Sequence, residues 1–155
     1  MRLRLHRFPL HKLVPLAISR GTTSAVEHLL VEVEHEGVLG RGETGGFDTG
    51  HRAFDTDAIA AELEALTPRL AGLQPQPLQA LEPLLADLSP PARCGLDLAL
   101  HDWWGQRLGL PLHRLWGLDP GACVATSVTL GLGEPSAVLA RLERWRLQLP
   151  TTRIK

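Results

Sequence analysis

The sequence predicts an α+β fold: an antiparallel meander, then helices, then the opening strand–helix–strand of a parallel β/α unit. Three observations carry this reading. The first 44 residues read as strands, with apolar residues alternating at period two through residues 26–34. From Thr56 their spacing changes to three and four, the mark of amphipathic helices. Past Leu118 a β-branched run returns and is followed by one more helical pattern, so strands and helices are segregated first and alternating later.

Residues 1–16 form an extended run interrupted by Pro9 and Pro15, which cannot donate to a ladder and so suit an edge. Arg20-Gly21-Thr22-Thr23-Ser24 reads as a polar loop. In residues 26–34, Leu29, Val31 and Val33 alternate with Leu30, Glu32 and Glu34, as in a half-buried strand. His35-Glu36-Gly37 then turns the chain into residues 38–43. So short a glycine-bearing turn implies an antiparallel hairpin.

Ile59, Leu63, Leu66 and Leu70 share one helical face, with Thr56 as N-cap and Pro68 expected to kink or end the helix. Leu78, Leu81, Leu84, Leu85 and Leu88 give a second stripe opened by Pro77. Ser89-Pro90-Pro91 caps a third helix through Ala92, Leu96, Ala99, Leu100, Trp103 and Trp104, stopped by Gly109. Leu29, Val31, Leu63, Leu66, Leu96 and Leu100 are the expected core.

Residues 123–130 are β-branched and nearly uncharged, as a strand buried on both faces would be. Glu134-Pro135 opens a helix carrying Val138, Leu139, Leu142 and Trp145, and Thr151-Thr152-Arg153-Ile154-Lys155 begins another strand. Two short parallel strands have unmet edges. The chain is therefore expected to be the N-terminal fragment of a larger protein and to self-associate as a homo-oligomer.

Composition excludes several function classes. The 155 residues carry 16 Lys+Arg against 17 Asp+Glu, a net charge of -1, which leaves no electrostatic footprint for nucleic acid or an anionic membrane. Cys94 and Cys123 can build neither a disulfide framework nor a CxxC zinc pair. The basic start, Met1 to Arg7, is not followed by the apolar run of a secretory signal, so a reduced, cytoplasmic compartment is expected.

Gly40-Arg41-Gly42-Glu43-Thr44-Gly45 matches a dinucleotide fingerprint on paper. That motif works only where a helix begins at once, and here a hairpin strand leads into Gly46-Phe47-Asp48-Thr49-Gly50-His51. A glycine-rich strand end feeding a mobile loop is the expected outcome. Asp97 and His101 can meet at i, i+4, whereas His101 and Asp102 cannot pair merely as neighbours, so a structural helix-surface pair is expected. Trp103, Trp104, Trp116 and Trp145 read as packing residues. Lys155 is different in kind. It lies at the end of a parallel strand, where such folds collect their chemistry, and Arg153 two residues back projects from the same face.

Four stretches together resemble one family: Ala17-Ile18-Ser19-Arg20-Gly21-Thr22, Val38-Leu39-Gly40-Arg41-Gly42-Glu43, Ala92 to Leu112, and Thr126 to Leu130 with Arg153-Ile154-Lys155. The chain resembles the enolase superfamily in its muconate-lactonizing subgroup, and looks most like the dipeptide epimerases. The resemblance implies an α+β capping domain over residues 1–118, followed in residues 119–155 by the first β/α elements of a truncated (β/α) barrel.

The resemblance also assigns roles. Lys155 matches the base that removes the proton α to a carboxylate. Arg153 replaces a family lysine and keeps a cation near that carboxylate. Thr129 matches a position that contacts substrate, and Arg20 and Thr22 lie in the loop expected to close over a dipeptide such as Ala-Glu. Mg²⁺ is the implied cofactor, its ligands and a second base expected beyond residue 155, with no metal ligand in the fragment, which alone is expected to be inactive. An o-succinylbenzoate synthase, a muconate-type cycloisomerase and a degenerate, non-catalytic capping domain stay open as alternatives.

Overall fold

The computed structural model describes residues 1–149 and 153–155. The chain forms two compact units, Met1–Pro9 with Glu27–Leu118, and Leu10–Val26 with Asp119–Lys155.

Three strands, β1 (Arg2–Ile18), β2 (Gly21–His35) and β3 (Val38–Gly45), form a sheet in the order β1-β2-β3. The expected meander is thus present. β2 and β3 pair antiparallel, from His28 opposite Gly45 to His35 opposite Val38. The intervening turn is only Glu36 and Gly37, with φ of 49° and 76°, as two-residue hairpins of right-handed twist require.

β1 is an edge strand, as its prolines imply, yet it runs unbroken through both of them. The N–H groups of successive residues point to opposite edges of a strand, so Pro15 and Ala17 face the same edge. The Ala17 carbonyl there accepts from the Leu132 N–H at 2.8 Å. The donor missing at Pro15 therefore belongs to the outer edge and costs no β1–β2 ladder bond.

The polar loop expected at residues 20–24 is instead a two-residue turn at Ser19 and Arg20, and strand resumes at Gly21. Threonine is a good strand former even where both faces meet solvent, so polarity alone misleads at Thr22 and Thr23. After β3, the expected mobile loop is a small hairpin, β4 (Phe47–Asp48) with β5 (Ala53–Phe54). Its turn is closed by side chains: Asp48 accepts from Gly50 N–H at 2.6 Å, and Thr49 Oγ1 accepts from Arg52 N–H at 3.0 Å. The Phe47 and Phe54 rings lie 5.0 Å apart across it.

Helix α1 (Thr56–Leu70) ends two residues after Pro68, in keeping with proline as a helix breaker. Its N-cap is Asp55, not Thr56: the Asp55 carboxylate accepts from the N–H groups of Asp57 and Ala58. Thr56 Oγ1 turns back instead, accepting from Gly46 N–H at 2.9 Å and donating to Glu27 O at 3.2 Å.

The second helix is broken into a 3₁₀ turn (Leu78–Ala80) and a single α turn, α2 (Glu82–Leu85). Pro83 cannot donate within a longer helix, which restricts it to the first turn of a new one. Helix α3 (Pro90–Leu108) matches expectation and stops at Gly109, whose φ is 67°. Ser89 occupies the N-cap but its hydroxyl makes no cap hydrogen bond, and the prolines at the first two helical positions offer it no N–H. A short helix, α4 (Leu112–Leu115), follows.

The core of this unit joins Leu29, Val31 and Val33 of β2 to Ile59, Leu63 and Leu66 of α1 and to Leu96 and Leu100 of α3, all buried. Each such side chain contributes about 1.5–3 kcal/mol by leaving water. Helix α3 lies on β3 without an intervening layer of side chains. A β-carbon at Gly40 would overlap the Ala99 carbonyl oxygen and Trp103 N, and one at Gly42 would overlap the Gly95 carbonyl oxygen. The G-x-G pattern is thus a helix-docking surface on an antiparallel strand, not a nucleotide cradle.

The other unit contains β6 (Ser127–Val128), α5 (Pro135–Arg146) and β7 (Arg153–Ile154). β6 and β7 are parallel, Ser127 opposite Arg153 and Val128 opposite Ile154. The expected eight-residue strand is shortened to these two residues, and only Val128 is buried; residues 123–127 are exposed. With β7 as its one partner in the described sheet, the run lacks the double cover that would bury it. The expected continuation of β7 through Thr151 and Thr152 lies outside the described residues. Among the described residues, no helix is long and apolar enough to cross a membrane.

Candidate active site

The parallel pair brings the chemistry together. Lys155 N–H donates to Val128 O at 2.8 Å, and Leu130 N–H donates to Lys155 O at 2.9 Å. These bonds extend the register of Ser127 with Arg153 and Val128 with Ile154, so Thr129 and Lys155 are the next pair, at the carboxyl ends of both strands. Alternation then places Arg153, Lys155, Ser127 and Thr129 on one face, with buried Val128 and exposed Ile154 on the other.

Thr129 and Lys155 line one open cavity of about 300 Å³ with Ala17, Ile18, Ser19, Gly131 and Leu132. Thr129 also borders a neighbouring cavity of about 260 Å³, walled by Leu13, Pro15, Leu130 and Trp145. Of the expected site residues, Lys155 and Thr129 share the first cavity, while Arg153 lies on their face of the strand pair but outside the lining. Arg20 sits in the Ser19–Arg20 turn and Thr22 in β2, both exposed and outside the cavity lining. Ile18 entered the sequence argument only within the stretch Ala17 to Thr22, without a role of its own, and Leu132 had no place in it. The signal that could have found them is Gly131, whose φ of 71° marks a sharp turn directly after a strand end.

The other polar motifs resolve into structure. His101 Nδ1 lies 3.5 Å from an Asp97 carboxylate oxygen and 3.0 Å from the Asp97 carbonyl, as an i, i+4 pair. Asp102 accepts from Arg41 N–H and from Gln106 Nε2, each at 2.8 Å, and so ties α3 to β3. Trp103 Nε1 donates to His35 O at 3.1 Å, which ties α3 to the end of β2 as well.

On the sheet, half-buried Glu32 lies 3.0 Å from His6 Nε2 and 3.3 Å from Arg41 Nε. Burial pushes its carboxyl up, but hydrogen bonds from His6 and Arg41 outweigh that and hold it below the usual carboxylate value. Arg7 is held above its usual value by hydrogen bonds to Asp57 and Glu27.

A family model described as mandelate racemase / muconate lactonizing enzyme, N-terminal domain, matches residues 4–117. The chain belongs to this family. A hydrophobic dipeptide epimerase from Enterococcus faecalis is 31% identical over 145 residues, covering 89% of this chain and 40% of the relative. An L-Ala-D/L-Glu epimerase from Escherichia coli is 34% identical over 130 residues, covering 83% of this chain and 37% of the relative.

Among solved structures, the dipeptide epimerase from Enterococcus faecalis V583 complexed with Mg and L-Leu-L-Tyr superposes with a TM-score of 0.83 at 27% identity. It covers 99% of this chain and 44% of that one. The chain therefore spans about 40% of the length of the curated relatives it matches. The family membership carries the fold with it: the meander and helices are the capping domain of the enolase superfamily.

Proposed function

We propose that this chain supplies the capping domain, residues 1–118, and the opening barrel elements, residues 119–155, of a dipeptide epimerase. The observation that carries the reading is the register of Thr129 with Lys155 at the carboxyl edge of a parallel pair, with Arg153 on the same face. Relatives named as epimerases of different dipeptides support the substrate class without choosing within it.

Lys155, as the free amine, takes the proton from the carbon next to the substrate carboxylate: a C–H bond breaks, an N–H bond forms, and the electron pair enters the carboxylate as an enediolate. Arg153 places a positive charge where that negative charge develops. The Thr129 hydroxyl, opposite Lys155 in register, orients the substrate by hydrogen bonding.

Mg²⁺ would further stabilise the enediolate. Among the described residues, however, no group of three or more His, Cys, Asp or Glu side chains could hold a metal ion. The residues present do not fit it, so their own contribution is binding and proton transfer.

The test is exchange of the α-proton of L-Ala-L-Glu and L-Ala-L-Leu in deuterated water, followed by NMR in the full-length protein. Lys155→Ala is expected to slow exchange from the face it serves by about 10²–10⁴-fold. Exchange at the wild-type rate in Lys155→Ala would remove this residue as the base.

A further inference from the structure

We propose that Arg141 of α5 is a positioning residue for the Thr129–Lys155 pair: its guanidinium clamps the turn that leaves β6 and so holds Thr129 opposite the base. The proposal rests on the epimerase reading above and adds to it a residue that acts through the main chain.

Side chains on a helix lean toward its N-terminus. Arg141 lies in the second turn of α5, and its side chain reaches back to the residues that precede the helix. There Nη2 donates to the Leu132 carbonyl at 3.1 Å, a bond strengthened by the charge of the donor. The Leu132 N–H is held as well, by the Ala17 carbonyl at 2.8 Å. Both main-chain polar groups of Leu132 are thus fixed, three residues after Thr129. Between them Gly131 turns sharply, with a φ of 71°, and the Leu130 N–H donates to the Lys155 carbonyl at 2.9 Å. A continuous series of anchors runs from the Arg141 guanidinium to the carboxyl ends of β6 and β7, where Thr129 and Lys155 stand opposite each other. Releasing the Leu132 carbonyl frees the turn and lets Thr129 drift from Lys155. A misplacement of about 1 Å can slow a reaction by about 10²-fold.

Gly133 leaves the room that the clamp needs. A β-carbon there would stand 2.6 Å from Arg141 Nη2, closer than two such atoms approach. The obstacle is the tip of a flexible side chain, and Gly133 lies outside the left-handed region that only glycine adopts freely. Gly133→Ala therefore pushes the guanidinium off the Leu132 carbonyl at little cost to the fold.

The experiment measures kcat and KM for L-Ala-L-Glu and L-Ala-L-Leu in the full-length protein supplied with Mg²⁺. Arg141→Met is expected to lower kcat by about 10- to 100-fold with KM changed less than about threefold, because misalignment slows proton transfer and leaves Arg153 in place. Arg141→Lys should return kcat to within about threefold of the wild type, since one donor on one carbonyl does not need the planar fork of arginine. Gly133→Ala should match Arg141→Met, and the double variant should be no slower than either, because both changes remove the same bond. The rescue by lysine and the lack of additivity separate positioning from a loss of folded protein. Wild-type kcat in Arg141→Met, or losses that multiply in the double variant, would overturn the proposal and leave the epimerase reading standing. Should Arg141→Met not fold, Gly133→Ala decides: wild-type kcat there overturns the proposal as well. Failure of the wild type to epimerise either dipeptide, or to exchange its α-proton, would overturn that reading and the proposal with it.

Discussion

Gly42 of β3 faces the carbonyl oxygen of Gly95 on α3 with no room for a β-carbon between them. Glycine on the helix and glycine on the strand let two backbones meet where most helix–sheet contacts hold a layer of side chains. Gly95 completes the fit, since a β-carbon there would press on the Thr44 methyl at 2.7 Å.

Gly42→Ala is therefore expected to destabilise the folded chain by about 2–3 kcal/mol, since the obstacle is main chain that cannot rotate aside. Urea unfolding followed by circular dichroism measures this. A loss below 0.5 kcal/mol, the ordinary scale of a surface change, would show that α3 can lift away from β3 at little cost.

The two helix caps should respond in opposite ways. Asp55 accepts two backbone N–H groups, so Asp55→Ala should cost about 1 kcal/mol. Ser89 has a buried hydroxyl without a hydrogen-bond partner, so Ser89→Ala should be neutral or slightly stabilising. Thermal unfolding of both variants beside the wild type checks the contrast, and a larger loss at Ser89 would contradict it.

Glu32 predicts a pH dependence whose sign follows from its lowered carboxyl. A group bound more tightly as the anion stabilises the fold above its usual value of 4.5, and that contribution is lost as pH falls through the lower folded value. The groups facing it are Arg4, His6 and Arg41. Glu32→Gln should thus be less stable than wild type at pH 7, with the gap closing as pH drops below the usual carboxylate value. A gap that stays constant down to pH 2 would mean that the carboxylate charge contributes nothing.

Arg153→Met in the full-length protein should raise KM for the dipeptide more than Lys155→Ala does, because it removes a carboxylate partner and leaves the base. Charge-assisted hydrogen bonds are worth roughly 1.5–3 kcal/mol, which corresponds to about a 10- to 150-fold rise. Steady-state kinetics of both variants separates the roles. An unchanged KM in Arg153→Met would remove Arg153 from substrate binding.

Long periodic segments were legible in the sequence for a physical reason: their patterns repeat often enough to leave one solution. The alternation of Leu29, Val31 and Val33, and the stripes of Leu63 with Leu66 and Leu96 with Leu100, all point inward as their spacing demands. Short segments failed where local side chains chose the outcome. Thr49 and Asp48 close a hairpin that glycine content had suggested was a loop, and Pro83 divides a stripe that leucine spacing had joined. The run from Cys123 failed for lack of neighbours, because β propensity cannot supply a sheet.

At the candidate site, Lys155 drew notice because a strand end is a place that sequence can mark. Thr129 entered only through the family resemblance, and the fold sets the two opposite each other. Ile18 and Leu132 were not legible as site residues: only the bond from Leu132 to Ala17 brings two distant apolar residues to one wall.

The outer edge of β1 has a meaning for solubility. A 17-residue strand at the rim of a sheet is a long template on which a second molecule could stack strand upon strand. At Pro15 the template lacks a donor, and two residues on, the Ala17 carbonyl is already taken by Leu132. An incoming strand would find its row of bonds interrupted twice within three residues, so this rim resists fibrous assembly despite its length.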